Sequence, residues 1–243
     1  SIFRGINTNA KLYDLQHGII HNNKKNYLVD GAVESNLIYN DANLLLSGES
    51  YKDILTTNDS SNYFESHAFV IGSHVFGSDL IHQKFNNNVL VTLQFTHDHS
   101  DKENTILLNE LKTFVSSADT KVNFYLKHHP RFNNEVDLSE ILELPNTHFA
   151  PDDINECFKL CSLHATTYST STFEAALLGI PTILIHSENK LNFIKTDFRY
   201  PLQHTISEYN VVSFYQDQSK IVQQWASKYF NFFNEDKFLN LLQ

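Results

Sequence analysis

Two stretches of this chain set polar side chains at what read as the carboxyl ends of strands, where ligands of open α/β sheets bind. The first is Lys127-His128-His129-Pro130, at the end of the apolar run 121–127. Neighbouring residues on an extended segment point to opposite sides, so the paired histidines are poorly placed to share one metal ion. His17, His21, His97 and His99 are the other histidines considered for such a site, and no H-E-x-x-H spacing occurs. A phosphate role suits the stretch better. Pro130 stiffens the turn and biases His129 towards extended geometry. An imidazole held there can donate to a phosphate oxygen, and Lys127 can add charge. The bland alternative is a solvated loop with a surface lysine.

The second stretch is "YSTSTFEAALLGIP", residues 168–181. Ser169, Thr170, Ser171 and Thr172 supply four hydroxyls at a strand-to-helix turn. Ser171 and Glu174 have the S-x-x-E spacing of a capping box. A helix starting there would present free backbone N–H groups, suited to phosphate. Gly179 then reads as a C-cap and Pro181 as the start of the next strand. A well-capped helix without a ligand remains the other reading. A third cluster, "DLQHGII" (14–20), combines a carboxylate, an amide, an imidazole and a glycine turn. His17 suits a general base, since an imidazole titrates near neutrality, and Asp14 could orient it or be the base itself. A polar hairpin loop explains the same residues.

Elements must position these groups. Residues 11–20 read as a short strand with a polar turn. Residues 42–55 read as a strand, a turn at Gly48 and a short helix, and 67–79 as a strand broken by Gly72. From residue 88 the pattern is regular. "NVLVTLQF" (88–95) is a continuous apolar strand, as expected when both sheet faces are covered. Ser100 or Asp101 caps a helix with Ile106, Leu107, Leu111 and Phe114 on one face. Strands at 121–127, 163–169 and 181–186 alternate with helices at 154–161 and 171–179. "VVSFY" (211–215) reads as a strand, followed by a terminal helix around 220–233. The aromatic stretch 229–242 is expected to pack on the core as a helix, the alternative being an exposed partner surface. The alternation indicates an α/β fold: a Rossmann-like parallel sheet with helices on both faces and right-handed crossovers. Residues 1–85 read as a partial N-terminal α/β segment and linker, and residues 86–243 as a complete Rossmann-like domain.

Composition narrows the function. At 243 residues and 41% hydrophobic, the chain can bury one or two cores. A net charge of -10 with no basic stripe argues against nucleic acid. Cys157 and Cys161 are the two cysteines; four apart, they share one helix face and are expected reduced and buried. No apolar run of 18 residues spans a membrane, and no signal peptide is visible, so a cytoplasmic location is expected. The chain lacks methionine even at position 1, and a preceding segment is expected.

"LYDLQHGII", "LLLSGESYKDIL", "FVIGS", "VLVTLQF", "FYLKHHP" and "YSTSTFEAALLGIPTILI" follow one another in an order and spacing that resembles bacterial surface-carbohydrate glycosyltransferases of the GT-B fold, in particular sialyltransferase-like and Kdo-transferase-like enzymes of capsule and lipopolysaccharide synthesis with HP and Ser/Thr motifs. The resemblance covers roughly residues 11–190. It implies that His129, Pro130, Ser169, Thr170, Ser171 and Thr172 contact the donor nucleotide, often CMP, with Lys127 and Gln94 as further contacts. Glu174 resembles the acidic residue that meets the donor ribose, and the QHG segment the stretch facing the acceptor. Only the second domain looks complete, which leaves the catalytic base, His17 or Asp14, unsupported by a full acceptor domain.

The expected function is metal-independent transfer of a sugar from a nucleotide-sugar donor to a surface polysaccharide or glycolipid, with no cofactor. The lack of a D-x-D motif agrees with this. Peripheral association with the inner membrane face is a further expectation. The rivals are CDP-glycerol glycerophosphotransferase chemistry of the teichoic-acid type, where attack falls on phosphorus, and a non-catalytic nucleotide-binding module.

Overall fold

Alternation along single strands explains how the chain layers itself. In β6 (Asn88–Thr92), Val89 and Val91 enter one core with Leu107, Leu111 and Val115 of α4 (Asp101–Ser116). Leu90 points the other way, into a second core with Cys157, Phe158, Cys161, Ala175 and Ile180. Period-two geometry thus gives a strand that is apolar throughout a layer of helices on each side. Each fully buried side chain of this kind contributes about 1.5–3 kcal/mol of transfer free energy. The computed structural model describes residues 10–21, 26–73, 82–132, 136–185 and 193–243. These form two compact units, Ser1–Phe76 with Ser227–Gln243, and Gly77–Ala226.

In the second unit, β6, β7 (Asn123–Lys127), β8 (Thr147–Phe149), β9 (Leu163–Thr166) and β10 (Thr182–Leu184) make a five-stranded sheet in the order β10-β9-β6-β7-β8, with every pairing parallel. The winding reverses between β6 and β9, so the chain leaves a crevice beyond the ends of these central strands. The connecting helices are α4, α5 (Ser139–Leu142), α6 (Ile154–Leu160) and α7 (Ser171–Leu177). Ser100 caps α4 with a complete capping box to Glu103. Gly179, at φ 73°, ends α7, its N–H donating to the Ala176 carbonyl. Helix α8 (Phe193–Thr196), a 3-10 turn (Ile206–Asn210) and helix α9 (Val212–Ala226) complete the unit.

The strand expected at 211–215 is the start of α9. Its β-branched and aromatic residues mimic a strand, but Tyr215, Ser219, Val222 and Ala226 are buried at helical spacing. The terminal helix expected at 220–233 stops at Ala226.

In the first unit, β1 (Leu12–Leu15), β4 (Ala42–Leu46) and β5 (Ala68–Val70) form a parallel sheet in the order β1-β4-β5. Helices α1 (Ser35–Asn40), α2 (Glu49–Asn58) and α3 (Tyr63–His67) flank the chain between them. A hairpin of β2 (Leu28–Val29) and β3 (Ala32–Val33) turns on Asp30 and Gly31, both at positive φ, the Asp-Gly pairing that favours such a turn. The strand expected at 67–79 is β5; residues 74–79 lie outside the described residues, as does His186 at the end of the one expected at 181–186.

The expected division at residues 85/86 kept the C-terminus with the second unit. Its hydrogen bonds belong to the first. Asn231 donates to the Ser47 carbonyl at 2.7 Å, Ser73 to Asn231 at 2.9 Å and Asn234 to Ile71 at 2.8 Å. Asn234 then caps α10 (Glu235–Leu242). The aromatic stretch is therefore an extended run followed by a short helix with no buried residue, and Phe232 is 68% exposed.

Candidate functional site

Beyond the carboxyl ends of β6, β7 and β9 lies a pocket of about 510 Å³. Register explains why the two polar clusters meet there. Thr92 pairs with Lys127 on one side and with Thr166 on the other, so the segments after these three residues leave the sheet at one level. Lys127, His128, His129 and Pro130 enter from β7, and Ser169, Thr170, Ser171 and Glu174 from the turn into α7. Gln94 follows β6 into the wall, its amide held by the Leu93 carbonyl at 3.0 Å. Asp152, Asp153 and Ile154 close the far side.

Thr172 does not join them. Its side chain is fully buried, its hydroxyl has no hydrogen-bond partner among the described residues, and it is not part of the lining. The anticipated capping box at Ser171 is also absent: Thr170 is the N-cap residue and makes no side-chain cap. Instead the Ser171 hydroxyl donates to Ser169 Oγ at 2.8 Å and lies 3.2 Å from both Thr92 Oγ1 and His164 Nε2. The sheet drew this hydroxyl away from its own helix.

The histidine pair divides its work. His129 Nδ1 accepts the Arg131 backbone N–H at 3.1 Å, inside a turn closed by Phe132 N–H and the His129 carbonyl. That bond places the proton of the neutral ring on Nε2, as a donor. Burial holds this ring below the usual histidine range, with the Arg131 charge acting the same way and Asp98 opposing it. His128 is also lowered, by burial and then by Lys127. It stacks on Phe132 with centroids 3.9 Å apart. Glu174 is raised by burial, and no described residue donates a hydrogen bond to its carboxylate. A desolvated carboxylate of this kind is ready to accept from a diol.

Asp14 and His17 belong to the first unit, where Gln16 orders the turn after β1. Its Oε1 accepts the Ser47 N–H at 2.9 Å and its Nε2 donates to the Gly18 carbonyl at 2.8 Å. Both Asp14 and His17 are exposed. Partial enclosure raises the Asp14 carboxyl and the nearby His17 pulls it back; on so exposed a group the effect is small. His17 and His21 stand four apart, but on a non-helical segment. Among the described residues, no group of three or more His, Cys, Asp or Glu is arranged to hold a metal ion. Cys157 and Cys161 are free and buried, as expected. Among the described residues, no helix is long and apolar enough to cross a membrane.

Sequence reasoning missed His164 and Thr92. His164 is wholly buried in β9, and its isolation from water pushes its pKa down to about 3. A histidine inside an apolar strand was the only sign, and it does not say which hydroxyls surround the ring.

No family model matches the chain, and no curated protein sequence matches it. Solved structures do. The wall teichoic acid polymerase TagF aligns with 96% of this chain and 66% of its own, at 15% identity and a TM-score of 0.53. A mutant of S. aureus TarM, in complex with Fondaparinux, alpha-GlcNAc-glycerol and UDP, aligns with 100% of this chain and 52% of its own, at 15% identity and a TM-score of 0.51. The chain thus spans between about half and two thirds of the length of these structures. At such identity the likeness is one of fold, and the fold is the α/β arrangement of GT-B glycosyltransferases, parallel sheets flanked by helices.

Proposed function

We propose that this chain contributes the donor side of a metal-independent glycosyltransferase, which moves a sugar from a nucleotide-activated donor to a surface polysaccharide or glycolipid. The observation that carries the reading is the convergence of Lys127, His129, Ser169 and Ser171 on one pocket at the reversal point of the sheet. An acceptor hydroxyl attacks the anomeric carbon. The bond from that carbon to the donor phosphate breaks, and its electron pair leaves on the phosphate oxygen. The Nε2–H of His129, Lys127 and the Ser169 hydroxyl offset the charge that develops there, as preorganised donors do. Glu174 accepts from the ribose, and a base on the acceptor side takes the acceptor proton.

CMP is our choice of nucleotide. Lys127 is the one Lys or Arg in the described lining, against Asp152, Asp153 and Glu174. That balance suits a donor with one phosphate better than one with two. Sialyltransferase-like or Kdo-transferase-like chemistry in capsule or lipopolysaccharide synthesis, at the cytoplasmic membrane face, is the setting we infer.

Isothermal titration with CMP, CDP and UDP in the presence of EDTA tests this. CMP is expected to bind, and His129→Ala to weaken it about tenfold or more, the usual effect of losing a hydrogen bond to a charged group. Loss of all binding under EDTA would overturn the metal-free reading; unchanged affinity in the variant would remove His129 from the site. The likeness to TagF favours a second reading, glycerophosphate transfer from CDP-glycerol. Product analysis with that donor separates attack on phosphorus from attack on carbon.

A further inference from the structure

A buried imidazole stands directly behind the pocket wall. His164 has no exposure to solvent, yet each ring nitrogen meets a hydroxyl. Nδ1 lies 2.9 Å from Thr182 Oγ1 on β10. Nε2 lies 2.8 Å from Thr92 Oγ1 on β6 and 3.2 Å from Ser171 Oγ. Three separate segments, β6, β10 and the turn into α7, are thereby tied to one ring. The Ser171 hydroxyl is committed in direction: it donates to Ser169 Oγ at 2.8 Å. Ser169 Oγ also receives the Ser171 backbone N–H at 3.3 Å. With both acceptor positions filled, Ser169 keeps its own proton, and no described residue accepts it. Ser169 lines the pocket.

We propose that His164 is a positioning residue that orients a chain of hydroxyls, Thr92–Ser171–Ser169, so that Ser169 faces the pocket as a hydrogen-bond donor to an anionic ligand oxygen. The role requires the tautomer with the proton on Nε2: the ring then donates towards Thr92 Oγ1 and Ser171 Oγ, Nδ1 accepts from the Thr182 hydroxyl, and the Ser171 proton is left pointing to Ser169. The neutral ring offers one donor and one acceptor, which suits three hydroxyls around it. A hydroxyl set in advance loses no rotational freedom when the anion arrives, which is the source of its contribution. This proposal rests on the pocket being a nucleotide site and adds to it the residue that prepares the site.

The test is a double-mutant cycle read by titration with CMP in EDTA, with thermal unfolding as the folding control. Ser169→Ala is expected to weaken CMP about tenfold. His164→Phe keeps the bulk and removes both polar atoms; it should weaken CMP to a similar degree. The pair together should lose no more than either alone, since both remove the same donor. His164→Gln, which restores one donor and one acceptor, should recover part of the loss. Ser171→Ala breaks the chain at the wall without disturbing the core, and should be nearly silent when Ser169 is already alanine. It carries the test if His164→Phe does not fold. Additive losses, or a Ser169→Ala variant that binds as the wild type does, overturn the proposal while leaving the nucleotide site intact. A wild-type protein that binds none of CMP, CDP and UDP overturns the nucleotide site, and this proposal with it.

Discussion

Glu174, which lines the pocket, is where stability and the proposed recognition pull in opposite directions. Burial raises its carboxyl above the ordinary value, so the folded protein carries a penalty whenever that group is ionised. The penalty is present at neutral pH and disappears below the unfolded carboxylate range, where both states are protonated. Glu174→Gln should therefore raise the urea midpoint of the free protein at pH 7 and leave it nearly unchanged at pH 4. The same variant should bind CMP more weakly, and the wild type should lose affinity as pH falls through the raised value. A midpoint that drops at pH 7 would show that the carboxylate has a stabilising partner. The resemblance to GT-B enzymes pointed to Glu174, and the structure places it in the pocket lining. The destination of the Ser171 hydroxyl was not readable from the sequence, because the competing partners, Ser169 and His164, come from a turn and a neighbouring strand.

At the scale of elements, close backbone approach decides more than propensity. Gly72 has φ 83°, and a Cβ there would stand 2.1 Å from the Phe232 carbonyl oxygen. Gly48 is equally crowded, with the Tyr229 carbonyl 2.1 Å from an added Cβ. These glycines let the run 228–234 lie across the ends of β4 and β5. Gly72→Ala should cost about 3 kcal/mol or more, since it combines a clash with backbone and a left-handed conformation. Hydrogen exchange at Ser73, Asn231 and Asn234 should rise in that variant. Protection equal to the wild type would mean that the run is held by other contacts. Gly72 was legible as a strand breaker; the segment that presses against it, distant in sequence, was not.

At the scale of the molecule, the sheet of the second unit is built around one uncharged histidine. The His164 value of about 3 lies below the ordinary 6.5, so the unfolded chain binds a proton that the folded one refuses. Stability is fully present above about pH 6.5 and falls as pH drops towards 3, by about 1.4 kcal/mol per pH unit for one such group. Acid unfolding of the wild type should show this slope, and His164→Gln should flatten it. An unchanged slope in the variant would assign the acid transition to other groups.

What the sequence determined by itself were the properties carried by neighbours along the chain. The apolar run 88–95, the cap at Ser100, the Gly179 helix end and the alternation of strands with helices all follow from local period and punctuation. So does the pairing of His129 with Pro130, and the order of motifs that resembles GT-B enzymes. Tertiary structure decided what depends on partners brought from afar. Strand register put Lys127 and the Ser169–Ser171 turn at one level. Burial turned Thr172 inward and made His164 a neutral anchor. Helical packing against the core converted the strand-like run at 211–215 into the start of α9. The physical reason is common to all three: a side chain's type fixes which bonds it can make, but only the folded neighbours fix which of those bonds it makes.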